Sequence, residues 1–438
     1  MSIETIPGTS LQYYLVAFDA VGNERDEPQG KMSQKILDIL SGQPITDVFI
    51  FSHGWMSDVT GARQQYNKWI GAMHNNLNDI AQIEQARSEF RPLLIGLYWP
   101  SLPWGNEELS SPVSFDSTST SPLESLIEQY AQRIADTDTS RQALHTIFQA
   151  AMENITPDYM PSEVRQAYEV LNQESGLGND GEGAAPGSDR LSFDPEGIFE
   201  AAKAEPVDFG QFNLSGILMP LRVLSFWKMK DRARQIGETG GFELLAQLQK
   251  ATANTVRFHL MGHSFGCIVV SAMLAGPRDH NTLVRPVNSV ALVQGALSLW
   301  SYCADIPVLP GRPGYFHSVI ADNKVSGPIV TTQTELDAAL GKMYPLAAGI
   351  RHQIVFETVE LPSFGAVGTF GVRGPGLEII NMKMLSVNEA YPFTTGKIYN
   401  LDSTQYICDT HDGIFVGAHN DIAKPEVAHA VWQAVLAS

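Results

Sequence analysis

Apolar positions along this chain follow two periods. Short runs rich in β-branched and aromatic residues, such as "VFIFS" and "SVALV", alternate with longer stretches whose apolar residues recur every three or four positions. The first pattern belongs to strands and the second to amphipathic helices, so their alternation predicts βαβ units around a mostly parallel sheet. Strands are expected at 12–18, 48–52, 93–99, 257–261, 289–293, 329–332 and 397–401. Several are apolar throughout, as strands covered by helices on both faces must be. Helices are expected at 61–87, 265–274, 335–344 and 425–436, the last opened by Pro425 in its first turn.

This alternation stops after Trp104. From 105 to 237 the chain shows a Ser/Thr-rich loop at 110–121, helical patterns at 123–154, 161–174 and 216–237, and the acidic, glycine-rich run "SGLGNDGEGAAPGSD" at 175–189. With almost nothing apolar to bury, that run is expected to be a mobile loop. The chain therefore divides into an N-terminal core part, 1–104, a helical cap inserted between two strands, 105–237, and a C-terminal core part, 238–438.

Chemistry concentrates where the strand at 257–261 meets its helix, in "FHLMGHSFG". A Gly-x-Ser-x-Gly turn reverses a strand sharply into a helix, which strains the serine backbone and lifts its hydroxyl above the sheet. The same glycines would serve a purely structural bend, but a strand before and the buried helix "CIVVSAMLA" after favour Ser264 as a nucleophile. A serine hydroxyl attacks only when a base takes its proton, so a histidine held by a carboxylate is required.

Six histidines follow Ser264: His280, His317, His352, His411, His419 and His429. His419, between a short apolar segment and the C-terminal helix, is placed where a loop at the strand ends would carry it. His411 in "DTHDG" is the nearest competitor on what reads as a solvated turn, and His429 reads as a helix-face residue. For the acid, Asp337 lies a few residues beyond the strand at 329–332 and at the start of a helix, where it would either face the imidazole or cap the helix. Glu335 shares that loop; Asp322 precedes the strand and is expected at the opposite edge. An oxyanion hole needs backbone donors, one from Phe265, just after the nucleophile, and one from an early loop. "FSHGW" provides the second: Gly54 permits close approach and Trp55 N–H donates, with His53, Gly54, His263 and Trp104 expected beside the substrate.

The ordered set His53-Gly54-Trp55, Gly262-His263-Ser264-Phe265-Gly266, Asp337 and His419 resembles the α/β-hydrolase superfamily, in its serine esterase and lipase branch. The resemblance covers roughly 11–104 and 242–438; the helical insertion matches no common pattern. It implies an α/β-hydrolase fold, a Ser264–His419–Asp337 triad, and cleavage of carboxylic esters of small or medium lipophilic substrates through an acyl-enzyme. The superfamily also contains lipases and phospholipases, for which 175–189 would suit an interfacial lid, and a non-hydrolytic ligand-binding protein could keep the same sheet. A serine at the elbow argues against the branches that attack with a carboxylate.

Composition narrows the partners. At 438 residues and 44 % hydrophobic the chain can bury a full core, and a formal charge of -19 would repel nucleic acid and anionic membranes. Cys267, Cys303 and Cys408 are odd in number and far apart, which suits reduced thiols, and no run approaches the ~20 apolar residues of a membrane span. "MSIETIPG" has neither a basic nor an apolar leader region, so a cytoplasmic location is expected. No metal-ligand spacing appears and no cofactor is expected. "GTFGVRGPG", 368–376, lacks the ending of a phosphate loop and is read as a flexible loop. Trp99, Trp104, Phe226, Trp227 and Trp300 are expected mainly to pack, some of them lining an acyl pocket.

Overall fold

Nine strands pair into one sheet in a computed structural model that describes residues 2–102, 122–204, 216–343, 361–411 and 417–438, apart from positions 27, 29, 88, 155 and 279–281. They are β1 (Ser2–Thr5), β2 (Gln12–Ala17), β3 (Asp47–Ser52), β4 (Pro92–Tyr98), β5 (Arg257–His263), β6 (Ser289–Val293), β7 (Ile329–Gln333), β8 (Ile379–Lys383) and β9 (Ile398–Asp402), in the spatial order β1-β2-β4-β3-β5-β6-β7-β9-β8. Every pairing is parallel except the β1–β2 edge. The seven strands expected from the hydrophobic runs are all present. Of the two edge strands that escape that reading, β1 has only four residues and β8, half-exposed along its length, carries no apolar alternation.

Register explains why one rim of this sheet gathers so many loops. Ser52 lies opposite Gly262, Gly262 opposite Leu292, and Leu292 opposite Thr331. The parallel strands therefore end nearly level, and the segments that follow β3, β5, β6 and β7 leave the sheet side by side.

Helices cover both faces: α1 (Met32–Gly42), α2 (Val59–Asn75), α3 (Leu77–Ala86), α4 (Pro122–Ile134), α5 (Asp138–Glu153), α6 (Ser162–Glu174), α7 (Pro195–Ala204), α8 (Met219–Ile236), α9 (Phe242–Lys250), α10 (Gly266–Ala275), α11 (His317–Ala321), α12 (Val367–Phe370) and α13 (Pro425–Leu436). Side chains of β3 divide by the two-residue period: Val48 and Ile50 join the cluster under α1 and α8–α10, whereas Phe49 and Phe51 join the one under α2, α3 and α13. The helix expected at 61–87 is two, broken at Asn76, whose amide leaves the helix to donate to Pro425 O at 2.8 Å. In place of a helix at 335–344, the described residues form a π-helical turn at Ala339–Met343.

Between β4 and β5, helices α4–α7 enclose a cluster of their own that includes Leu144, Ile147, Tyr168 and Leu171. Helix α8 is buried nearly all round, because Leu221 and Leu224 face that cluster while Val223, Phe226 and Trp227 face the sheet. The run 175–189 is packed, contrary to the mobility its composition suggests. Glu182 and Asp189 are buried, the first accepting a hydrogen bond from the Ser298 hydroxyl and the second paired with Lys230 of α8. Its glycines are what permit this: a Cβ on Gly187 would lie 2.5 Å from Asp231 Cβ. The run 368–376 is likewise fixed rather than flexible, contributing to α12 and tying Val372 N–H to Asn400 at 2.9 Å. The loop at 110–121 lies outside the described residues.

His429, expected on a helix face, is buried at 2 % exposure between α13 and α3. Its Nδ1 lies 2.8 Å from an Asp79 oxygen and its Nε2 2.7 Å from Glu389 O. A carboxylate and a carbonyl can only accept, so the ring donates from both nitrogens as an imidazolium. Burial opposes that charge, but the hydrogen bonds to Asp79 and Glu389 outweigh it and raise the His429 pKa above its usual value. A raised folded-state pKa gives stability that is complete below the unfolded value of about 6.5 and is lost as pH climbs through the folded value. His429→Ala should therefore cost about 3–5 kcal/mol in urea unfolding at pH 6, with a smaller gap to wild type at pH 9; a gap that does not narrow would show the ring to be neutral.

Candidate active site

The turn after β5 has the strain that its sequence calls for. Ser264 has φ +56°, in the left-handed region that costs a non-glycine residue about 1–3 kcal/mol. A Cβ on Gly262 would lie 2.5 Å from the Gly266 carbonyl, and one on Gly266 would lie 2.1 Å from Ser52 O, so neither position has room for a side chain. The turn is held from β6: Ser264 N–H donates to Val293 O at 3.2 Å and Ser264 O accepts from Ala296 N–H at 3.1 Å.

His419 and Asp337, 82 positions apart, meet through Nδ1 and Oδ2 at 2.7 Å. Asp337 is fully buried and His419 is 9 % exposed. The other Asp337 oxygen, Oδ1, accepts Leu340 N–H at 3.0 Å, so the residue faces the imidazole and caps its own turn at once, on different atoms. Among the alternatives, Glu335 and Asp322 are exposed, and Asp322 precedes β7 on the far rim. His411 is solvated beside Asp409, while His280 and His352 lie outside the described residues.

His263, expected to touch substrate, has a different task. Its Nδ1 lies 2.9 Å from Gln65 Nε2, which can only donate, so Nε2 carries the ring proton and gives it to His419 O at 3.0 Å. Burial, then the neighbouring His419, holds His263 well below the usual imidazole range, consistent with a neutral ring. The residue before Ser264 thus ties down the backbone of His419, with the two rings 4.9 Å apart. No hydrogen bond joins the Ser264 hydroxyl to His419 among the described residues.

His53 is also support rather than a substrate contact. It is fully buried, stacked on Trp99 with rings 5.4 Å apart, and burial pushes its pKa down to about 4. Its Nδ1–H donates to Gly54 O at 2.8 Å, its Nε2 accepts Trp99 N–H at 3.2 Å, and its own N–H reaches the Tyr66 hydroxyl at 2.9 Å. Those bonds hold Gly54 against the elbow so closely that a Cβ there would sit 2.8 Å from Ser264 Cβ. The loop continues through Met56, with φ +62°, whose N–H is held by Ser101 O at 3.1 Å. Among the described residues, the Trp55 and Phe265 amides donate no backbone hydrogen bond. They are two donors on adjoining loops at one rim, as an oxyanion site requires.

Above them, Trp55, Phe226 and Phe265 form an aromatic cluster with centroids 5.1 to 5.8 Å apart, and Arg222 lies 5.8 Å over the Trp55 ring. Of the aromatic residues considered for an acyl pocket, Phe226 meets Trp55 and Phe265. Trp99, Trp227 and Trp300 belong to the core, and Trp104 lies outside the described residues. A cavity of about 210 Å³ opens beside His263, with Gln65, Lys68 and Asn420 also on its walls. Gln65, Tyr66, Ser101 and Gln294 are the participants that sequence reasoning missed, since an amide or hydroxyl at these positions belongs to no motif.

Residue types alone do not single out this rim. Near the opposite one, the Ser289 hydroxyl lies 2.8 Å from His259 Nδ1, and His259 Nε2 lies 3.0 Å from Asp47. That series is buried, Ser289 sits inside β6 rather than on a strained turn, and Asp47 is also paired with Arg87 at 2.8 Å. It ties three strands together. Among the described residues no group of His, Cys, Asp or Glu is arranged to hold a metal ion, and no helix is long and apolar enough to cross a membrane. Cys267, Cys303 and Cys408 are unpaired. No protein family, curated protein or solved structure matches the chain.

Proposed function

We propose that this protein is a serine hydrolase of α/β-hydrolase type that cleaves carboxylic esters through an acyl-enzyme. The observation that carries the proposal is Ser264 at φ +56° between two glycines that tolerate no side chain, on a turn whose His263 binds the backbone of His419, an imidazole bonded at 2.7 Å to a buried aspartate. Strain of this kind is retained where the structure around it over-determines the conformation, and such places cluster at active sites.

Ser264 Oγ attacks the ester carbonyl carbon while His419 Nε2 accepts the hydroxyl proton. Charge then develops on the carbonyl oxygen, which takes hydrogen bonds from Trp55 N–H and Phe265 N–H. Collapse of the tetrahedral species expels the alcohol, protonated by His419, and leaves the acyl group on Ser264. Water then attacks the acyl carbon as His419 takes its proton, and collapse of the second tetrahedral species breaks the bond to Ser264 Oγ, which receives that proton back as the carboxylic acid leaves. Asp337 holds the His419 proton on Nδ1, so that Nε2 is the basic nitrogen, and stabilises the imidazolium. The Trp55, Phe226 and Phe265 cluster supports an apolar acyl group of small or medium size. An interfacial lid at 175–189 loses its main support, because that segment is packed.

Two measurements on the purified protein test the proposal. A fluorophosphonate probe should label Ser264, identified by peptide mapping, and p-nitrophenyl acyl esters should be hydrolysed with a preference for short and medium chains. Absence of both would leave a ligand-binding protein on the same sheet; hydrolysis with the label on another serine would move the site.

A further inference from the structure

Resting on the hydrolase reading, we propose that Gln294 is a positioning residue that sets the orientation of the catalytic acid. It follows β6 directly, one residue after Val293, whose carbonyl holds the elbow. Gln294 is fully buried and has φ +45°. Positive-φ residues other than glycine are Met56, Ser264, Gln294 and Asn323 among the described residues. Asn323 is exposed, and asparagine tolerates this region through its short polar side chain. The other three stand on the rim of the active site: Met56 after the oxyanion loop, Ser264 on the elbow, and Gln294 beside the acid. A strained backbone at this third rim position asks for a reason.

The side-chain bonds supply one. Gln294 Nε2 donates to Asp337 Oδ2 at 2.8 Å and to Gly368 O at 3.0 Å, while Oε1 accepts from the Thr332 hydroxyl at 2.8 Å. Thr332 Oγ1 in turn accepts the Gln294 N–H at 2.9 Å. Because a carboxylate and a carbonyl can only accept, the amide has one orientation that satisfies every neighbour. A glutamate could not give both protons, and an apolar residue could give neither.

Gln294 thus shares Oδ2 with His419 Nδ1–H, and Leu340 N–H occupies Oδ1. Donors on both oxygens stop rotation of the carboxylate, so the atom facing the imidazole stays in place through both proton transfers. The titratable groups concerned are Asp337, met directly, and His419, met through the shared oxygen.

Gln294→Met keeps volume and removes the donor; Gln294→Glu keeps shape and turns the contact into two facing carboxyls, which must share a proton at this distance. On a p-nitrophenyl ester, Gln294→Met should lower kcat about 10- to 100-fold with KM within about twofold of wild type, and slow fluorophosphonate labelling of Ser264 by a similar factor. Gln294→Glu should add a limb to the pH profile of kcat/KM where the shared proton is lost, a limb that wild type lacks. A role in folding alone would lower the melting temperature and leave kcat and the profile of the folded fraction unchanged, which would overturn the proposal. Should Gln294→Met not fold, the profile of Gln294→Glu decides by itself. Wild type that neither hydrolyses esters nor labels at Ser264 would instead remove the hydrolase reading on which the proposal rests.

Discussion

Ser264→Ala should lower kcat on an activated carboxylic ester about 10^6-fold, the loss expected when the nucleophile of a serine triad is removed. The folded state should hardly notice. The Ser264 hydroxyl makes no hydrogen bond with His419 among the described residues, and the backbone bonds to Val293 and Ala296 do not depend on it. Alanine meets the same strain at φ +56° as serine does, so the turn is neither relieved nor further stressed. Urea unfolding of the variant should agree with wild type within about 0.5 kcal/mol. Paired measurement of turnover and unfolding separates the readings: a serine that was part of a structural bend would leave any hydrolysis intact, and turnover within tenfold of wild type would discard Ser264 as nucleophile.

Asp337→Asn should cost about 10^4-fold in kcat, because the wrong imidazole tautomer becomes the stable one. Each Asp337 oxygen receives a donor: Leu340 N–H on Oδ1, and both His419 and Gln294 on Oδ2. An asparagine amide has a single acceptor. With its oxygen toward His419, its NH2 faces the Leu340 N–H; turned the other way, its NH2 faces His419 Nδ1 and the Gln294 amide. The second arrangement makes Nδ1 an acceptor and moves the ring proton to Nε2, the atom that must take the proton of Ser264. In the first, a buried donor loses its partner at a cost of about 1–3 kcal/mol. The variant should therefore be both slow and less stable, with KM little changed. An activity loss below tenfold, alongside normal stability, would assign the role of acid to another residue.

How much of this could be read along the chain differs by element. β3 and β6 are continuous apolar runs, so their position and their burial on both faces follow from composition within a few residues. The elbow was legible for a related reason: a glycine two places on either side of a serine is a local statement about space, and the space proves to be filled by the backbone of Gly266 and of Ser52. His53 and His263, expected beside the substrate, both prove to hold neighbouring backbone through their rings. A histidine next to a catalytic motif looks chemical in sequence, and only the buried partners of both ring nitrogens disclose a scaffold. The run 175–189 was misjudged because composition counts apolar side chains, whereas this segment is held by its glycine backbone and by buried carboxyls that find Ser298 and Lys230 elsewhere in the chain. Gln294 had no signal at all, since its importance lies in three partners at Thr332, Asp337 and Gly368.

What the amino-acid order determined by itself was periodic or local: an alternation of strand and helix, a serine in a turn with no room beside it, and an acid and a base further along in workable order. Tertiary structure decided which histidine meets which carboxylate, because Ser264–His419–Asp337 and Ser289–His259–Asp47 are the same residue types toward opposite rims of one sheet. The physical reason is register. Parallel strands that end level bring segments far apart in the chain to one rim, where they are held by hydrogen bonds whose partners no local pattern can specify.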